Sequence, residues 1–154
     1  MYIRKATLKD TNAIIALCVS TIDQVNAKDY NEAQRQAWTK SISVLDKMEK
    51  RIGKQFFFVA EVEQEMAGLG SIDSNGEIDL LYVSAAHQTQ GIGKALYTKL
   101  HDIARKLMLK ELTSNVSITA KPFFEKLGFE VVAEQVVDLK GTTLNNYKMR
   151  RSMK

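Results

Sequence analysis

Residues 77–96, EIDLLYVSAAHQTQGIGKAL, change character twice within one short run. Residues 77–83 are apolar and β-prone, 84–90 are polar, and from Gly91 onward the apolar period becomes helical. Ile92, Ala95, Leu96, Leu100, Ile103, Ala104, Leu107 and Met108 recur at three- and four-residue steps, which marks one face of a helix for about five turns. Strand, polar turn and long amphipathic helix therefore follow one another directly. A helix that opens at Gly91 and Gly93 leaves its first N–H groups without intrahelical partners at the positive end of the dipole. The two glycines also remove the Cβ atoms that would keep an anion at a distance. The stretch predicts a phosphate-binding turn.

Two familiar phosphate loops fail on its residues. A P-loop needs a glycine five places before its Gly-Lys and a Ser or Thr after it; those places hold Gln88 and Ala95. A Rossmann fingerprint needs a third glycine where Leu96 stands, and it needs a βαβ unit around it. The preceding strands instead read as an antiparallel meander. Residues 55–62, QFFFVAEV, form a continuous apolar run suited to a strand covered on both faces. Gln64 and Glu65 turn the chain into AGLGSID, and Asn75-Gly76 is a hairpin signal leading into residue 77.

Outside this block, residues 2–6 read as a first strand, and Thr7 with Asp10 forms a capping box ahead of a helix bearing Ile14, Leu17, Cys18, Ile22 and Val25. A second helix begins near Asn31 and includes Trp38. Residues 41–54 are charged and suggest no element. Beyond the long helix, residues 111–118 read as a strand. A short helix follows, with Pro122 in its first turn and Gly128 past its end. Residues 129–138 and 143–149 close the chain as a hairpin across Lys140-Gly141. Tyr30, Trp38 and Phe56 are expected in the core.

Of the 154 residues, 45% are apolar and 26% charged, which suits a single domain over 1–154 with a real core. No apolar run is long enough for a membrane helix, and the opening MYIRKATLKD lacks a secretory apolar stretch, so no membrane partner and a cytoplasmic location are expected. The single cysteine, Cys18, excludes an internal disulfide and a multi-cysteine metal site. His87 and His101 lie far apart without a carboxylate at ligand spacing, so no metal is expected. The net charge of +4 favours an anionic partner. The basic residues Lys148, Arg150, Arg151 and Lys154 read as a solvated chain end, and nucleic acid is not the expected partner.

Gln88-x-x-Gly91-x-Gly93, after a strand and at the start of a helix, resembles the pyrophosphate loop of the GNAT superfamily of acetyl-CoA-dependent N-acetyltransferases. A second stretch, KPFFEKLGFEVV at 121–132, resembles that family's short helix and following strand. The resemblance implies an α+β fold: a seven-stranded, mostly antiparallel sheet that splays in the middle, flanked by about four helices. It implies acetyl-CoA as cofactor and transfer of its acetyl group to a primary amine of a small molecule or peptide. The backbone of Leu81, Tyr82 and Val83 would pair with the pantetheine arm. Gln88, Thr89, Gln90, Gly91, Ile92, Gly93 and Lys94 would hold the pyrophosphate. Ser117 stands where the family commonly has an asparagine touching pantetheine.

For proton abstraction from the amine, Glu77 at the start of the fourth strand is the preferred base, with Asp79 as its rival. The family's usual tyrosine acid is replaced by Phe124. The acid role falls to Tyr147, with Tyr82, Ser117 and His87 behind it, although a thiol with a pKa near 8.5 leaves tolerably unaided. Residues 23–38 border the acceptor in this family, and a homodimer is an assembly it allows. The missing tyrosine motivates one alternative, a non-catalytic acyl-CoA sensor. Small size and basic charge motivate another, an acetyltransferase toxin acting on charged tRNA.

Overall fold

In a computed structural model covering residues 1–154, the run Phe57–Ala60 is sealed on both faces. Phe58 and Ala60 join one apolar cluster and Phe57 and Val59 join another, as side chains that alternate across a two-sided strand must. The elements run β1 (Tyr2–Lys5), α1 (Thr11–Gln24), α2 (Glu32–Ile42), α3 (Leu45–Lys54), β2 (Phe56–Val62), β3 (Glu65–Ile72) and β4 (Glu77–Val83). They continue as α4 (Ile92–Lys106), β5 (Glu111–Ser117), α5 (Lys121–Lys126), β6 (Glu130–Leu139) and β7 (Thr142–Ser152). The seven strands form one sheet in the order β1-β2-β3-β4-β5-β7-β6, and β4–β5 is its only parallel pair. This is the mixed, mostly antiparallel α+β sheet expected from the sequence.

Helix α4 covers one face of the sheet. Gly68 permits its close approach: a Cβ there would lie 2.9 Å from the Tyr82 carbonyl oxygen and 3.0 Å from Leu96. Helices α1 and α3 cover the other face, with Ile14, Cys18, Ile22 and Met48 fully buried against β2–β4. The helices number five rather than four. The additional one is α3, in the stretch that suggested no element. Its apolar residues Leu45, Met48 and Ile52 share one face, of which Met48 and Ile52 are buried, and charged residues fill the rest, so the stretch is amphipathic although its charge hides the stripe.

Three further expectations change. The β2–β3 turn is Glu63-Gln64, both at positive φ, so β3 starts at Glu65. Phe56 is exposed rather than core. The basic chain end is part of β7 rather than a solvated tail: Arg151 pairs with Leu112 across β5 and donates to the Tyr97 hydroxyl, while Arg150 bridges Glu111. The buried Met149 draws that segment into the sheet.

The feature that shapes the site is a β-bulge. Ile72 of β3 opposes Ile78, but its neighbour Ser71 opposes Leu80, so Asp79 is an extra residue in β4. Ile78 therefore packs on the α4 side while Leu80 packs on the α1/α3 side, breaking the usual two-residue period. At the same place β4 parts from β5. Only Glu77↔Thr113 and Ile78↔Ser114 are paired, and beyond them β5 stays with β7. The sheet splays from Asp79 onward.

Candidate active site

The splay opens a cleft of about 520 Å³ between the free edge of β4 and the end of β5. At its β4 end the chain leaves Val83 through a short 3-10 turn, and Gln88 folds back so that its Nε2 donates to the Val83 carbonyl at 2.6 Å. Thr89 is forced to φ +62, an uncommon conformation for a β-branched residue, and Gly91 takes φ +82. Helix α4 then starts with no side-chain cap. Its first intrahelical bond runs from Ala95 N–H to the Gly91 carbonyl, and the amides of Ile92, Gly93 and Lys94 meet no acceptor within the chain. A Cβ on Gly91 would meet nothing within 4 Å, so the space before these amides is open. A Cβ on Gly93 would press on Phe123 at 3.1 Å.

These residues fit a diphosphate. The amides converge on an open, positively polarised helix end, and Lys28, Lys94 and Lys126 line the same cleft. Leu81, Tyr82, Val83, Gln88, Thr89, Gly91, Ile92, Gly93, Lys94 and Ser117 all line it; Gln90 does not. Leu81 and Val83 turn their side chains into the α4-side core, so what they offer the cleft is backbone. The Ser117 hydroxyl accepts from Ala120 N–H at 3.1 Å and from Asn26 at 3.5 Å, which leaves its own proton free to donate.

A smaller cavity of about 210 Å³ adjoins the cleft beneath the β6–β7 hairpin. The two share Trp38, Asp79, Tyr82, Asn115 and Ser117. Tyr30 fixes the outer wall: its hydroxyl donates to the Asn145 carbonyl at 2.5 Å and accepts from Ile118 N–H at 2.9 Å, while its ring meets Trp38 edge-on. Of residues 23–38, Tyr30 and Trp38 line this second cavity.

Asp79 is the only carboxylate lining either space. Its Oδ2 accepts from Arg51 Nε and from Gln55 Nε2, each at 2.9 Å. Glu77 lies one step back, at the joined end of the two strands, and does not line the cleft. Burial raises its pKa, reinforced by the nearby charges of Asp79 and Asp73, while Lys148 pulls it down. Burial also raises the Tyr82 phenol, which lies against Trp38. Phe124 is core, stacked edge-on against Phe129.

Tyr147 is not brought to either cavity. It packs on the α4-side core, with the Lys121 ammonium 4.8 Å above its ring, and its hydroxyl makes no backbone hydrogen bond. His87 lines the cleft and pairs with Ser84 Oγ at 2.7 Å, while His101 leans half-buried on Tyr97. Cys18 is sealed in the core, its thiol pushed up to about 12 by burial, and has no nucleophilic role. Sequence reasoning missed Arg51 and Gln55; neither motif nor period marks them.

A splayed mixed sheet with an uncapped glycine-led helix at the fork defines an acyl-CoA-using transferase of the N-acetyltransferase type. Comparison with known proteins agrees. The model of the acetyltransferase (GNAT) domain matches residues 26–151, and the chain belongs to that family. It is similar to YafP of Escherichia coli, described as an uncharacterized N-acetyltransferase, at 28% identity over 92% of this chain and 89% of that protein. A GCN5-related N-acetyltransferase of Rhodopseudomonas palustris superposes with a TM-score of 0.94 at 28% identity, over 98% of this chain and 94% of that one. The PaiA N-acetyltransferase of Thermoplasma acidophilum, solved with coenzyme A, shares the fold with a TM-score of 0.80 at 20% identity over 98% of each chain. The protein is thus an N-acetyltransferase that uses acetyl-CoA. No helix is long and apolar enough to cross a membrane.

Proposed function

We propose that the protein acetylates the primary amine of a small molecule held in the 210 Å³ cavity, with the coenzyme in the larger cleft. The observation that carries this reading is the meeting of the two spaces at Asp79, the bulge residue, where the sheet splays. The cavity's size and its hairpin roof suit a small amine better than a long peptide.

When bound, acetyl-CoA supplies a thioester whose acyl group passes from sulfur to the amine nitrogen. Gln88 braces the phosphate loop, and the amides of Ile92, Gly93 and Lys94 bind the diphosphate. The unpaired edge of β4 at Leu81–Val83 orients the pantetheine arm as an added strand would. Glu77 accepts the amine's proton through water, its raised pKa bringing it nearer to neutral pH, as a general base requires. Asp79 holds the amine before that transfer. Ser117 donates from its free hydroxyl toward the departing sulfur, and solvent completes the protonation.

The test is release of free CoA from acetyl-CoA by the purified protein across a panel of small primary amines and short peptides. Release with small amines and little with peptides is the expected result. Preference for peptides, or no release with any member, overturns the reading.

A further inference from the structure

The smaller cavity carries one cation and one anion, and neither has used its hydrogen-bonding capacity. Arg51 meets Asp79 only through Nε; its two terminal nitrogens have no partner in the chain. Asp79 receives both of its hydrogen bonds on Oδ2, which leaves Oδ1 free. These atoms are not sealed in, because the buried, unpartnered side-chain polar atoms lie elsewhere, on Thr21, Arg35, Gln55, Ser71 and Thr119. An Arg–Asp pair that served only to tie α3 to the sheet would gain most from a two-pronged contact. Here the one hydrogen bond between the two runs from Nε, and Gln55 shares its carboxylate oxygen, so the terminal guanidinium nitrogens make no hydrogen bond to Asp79.

We propose that the acceptor is a small amino acid: a primary amine that carries a carboxylate and an apolar remainder. This rests on the reading that the 210 Å³ cavity holds the acceptor. The ammonium docks on Asp79 Oδ1 and the carboxylate on the terminal nitrogens of Arg51, whose planar fork matches a carboxylate. Leu80, Val137, Leu139 and Leu144 form the apolar wall for the side chain. A zwitterion balances the Arg51–Asp79 pair charge for charge. A diamine or polyamine would instead bring a second cation toward Arg51 with no carboxylate left to receive it.

The experiment compares leucine, valine and methionine with their carboxamides and with the amines left after decarboxylation. It reads CoA release, and separately the fluorescence of Trp38, the single tryptophan, which lines both spaces. The wild type is expected to favour the carboxylates by at least about tenfold in kcat/KM and in binding. Arg51→Gln removes the cation. Arg51→Lys keeps a cation for Asp79 but loses the fork, so it tests the idea even if the first variant folds poorly. Both should bring the carboxylate-to-carboxamide ratio to within about threefold of one. Equal or absent responses to the three forms in the wild type, or an unchanged ratio in both variants, overturn the proposal. Turnover without discrimination sinks only the charge match. Discrimination by fluorescence without turnover of any compound sinks only the transfer reading.

Discussion

Gly93 stands where the free amides of α4, the Phe123 ring and the cleft meet. Replacing it by glutamate puts a Cβ within 3.1 Å of that ring and an anion among amides that would bind a diphosphate. Gly93→Glu should abolish coenzyme A binding by calorimetry while leaving a cooperative unfolding transition. Glu77 gives a second test through its titration. Its folded-state pKa is raised from the ordinary carboxylate value, chiefly by burial, so the fold disfavours its charged form. The resulting cost is absent below the ordinary pKa and grows as pH rises through the window up to the raised value. Glu77→Gln should therefore raise the unfolding midpoint at neutral pH and not at about pH 3. The same variant should lower kcat by roughly 10²-fold or more and remove the acidic limb of the pH–rate profile. Glycine and glutamine spacing made the turn before α4 legible because steric and backbone demands fix residue type there. Arg51 and the free oxygen of Asp79 were not legible, because a bulge arises from pairing register and leaves no local signature.

Among the elements, α3 links stability to the site. Met48 and Ile52 anchor it against β2 and α1, and this anchoring carries Arg51, in its last turn, and Gln55, its C-terminal cap, to Asp79. Met48 is fully buried, so Met48→Ala should cost about 2–5 kcal/mol in denaturant unfolding. The meander β2–β4 and helix α4 could be read in advance: β2 from its continuous apolar run, the β3–β4 turn from Asn75-Gly76, and α4 from its period of 3.6. Helix α3 carries a helical stripe too, in Leu45, Met48 and Ile52, but its charged residues outnumber its apolar ones and masked it. The extent of β7 was missed for a related reason: Arg150 and Arg151 are strand residues only because β5 and Tyr97 receive them.

At the scale of the whole molecule, the net charge of +4 acquires a location. Lys28, Lys94 and Lys126 line the large cleft, whereas the smaller cavity holds a balanced Arg51–Asp79 pair. The two spaces should therefore answer salt differently. Coenzyme A should raise the unfolding midpoint by mass action, with about 2.7 kcal/mol of stabilisation at a hundredfold excess over its Kd. That shift should shrink as ionic strength rises and screens the exposed lysines. Binding of a small zwitterion beside the ion pair should change much less over the same range, because its net charge is zero and its partners are partly shielded. Differential scanning fluorimetry in low and high salt, with each ligand alone and with Gly93→Glu as the control, separates the two behaviours. A coenzyme shift that ignores salt would remove the lysines from the binding energy and leave the unpaired amides of α4 to supply it alone.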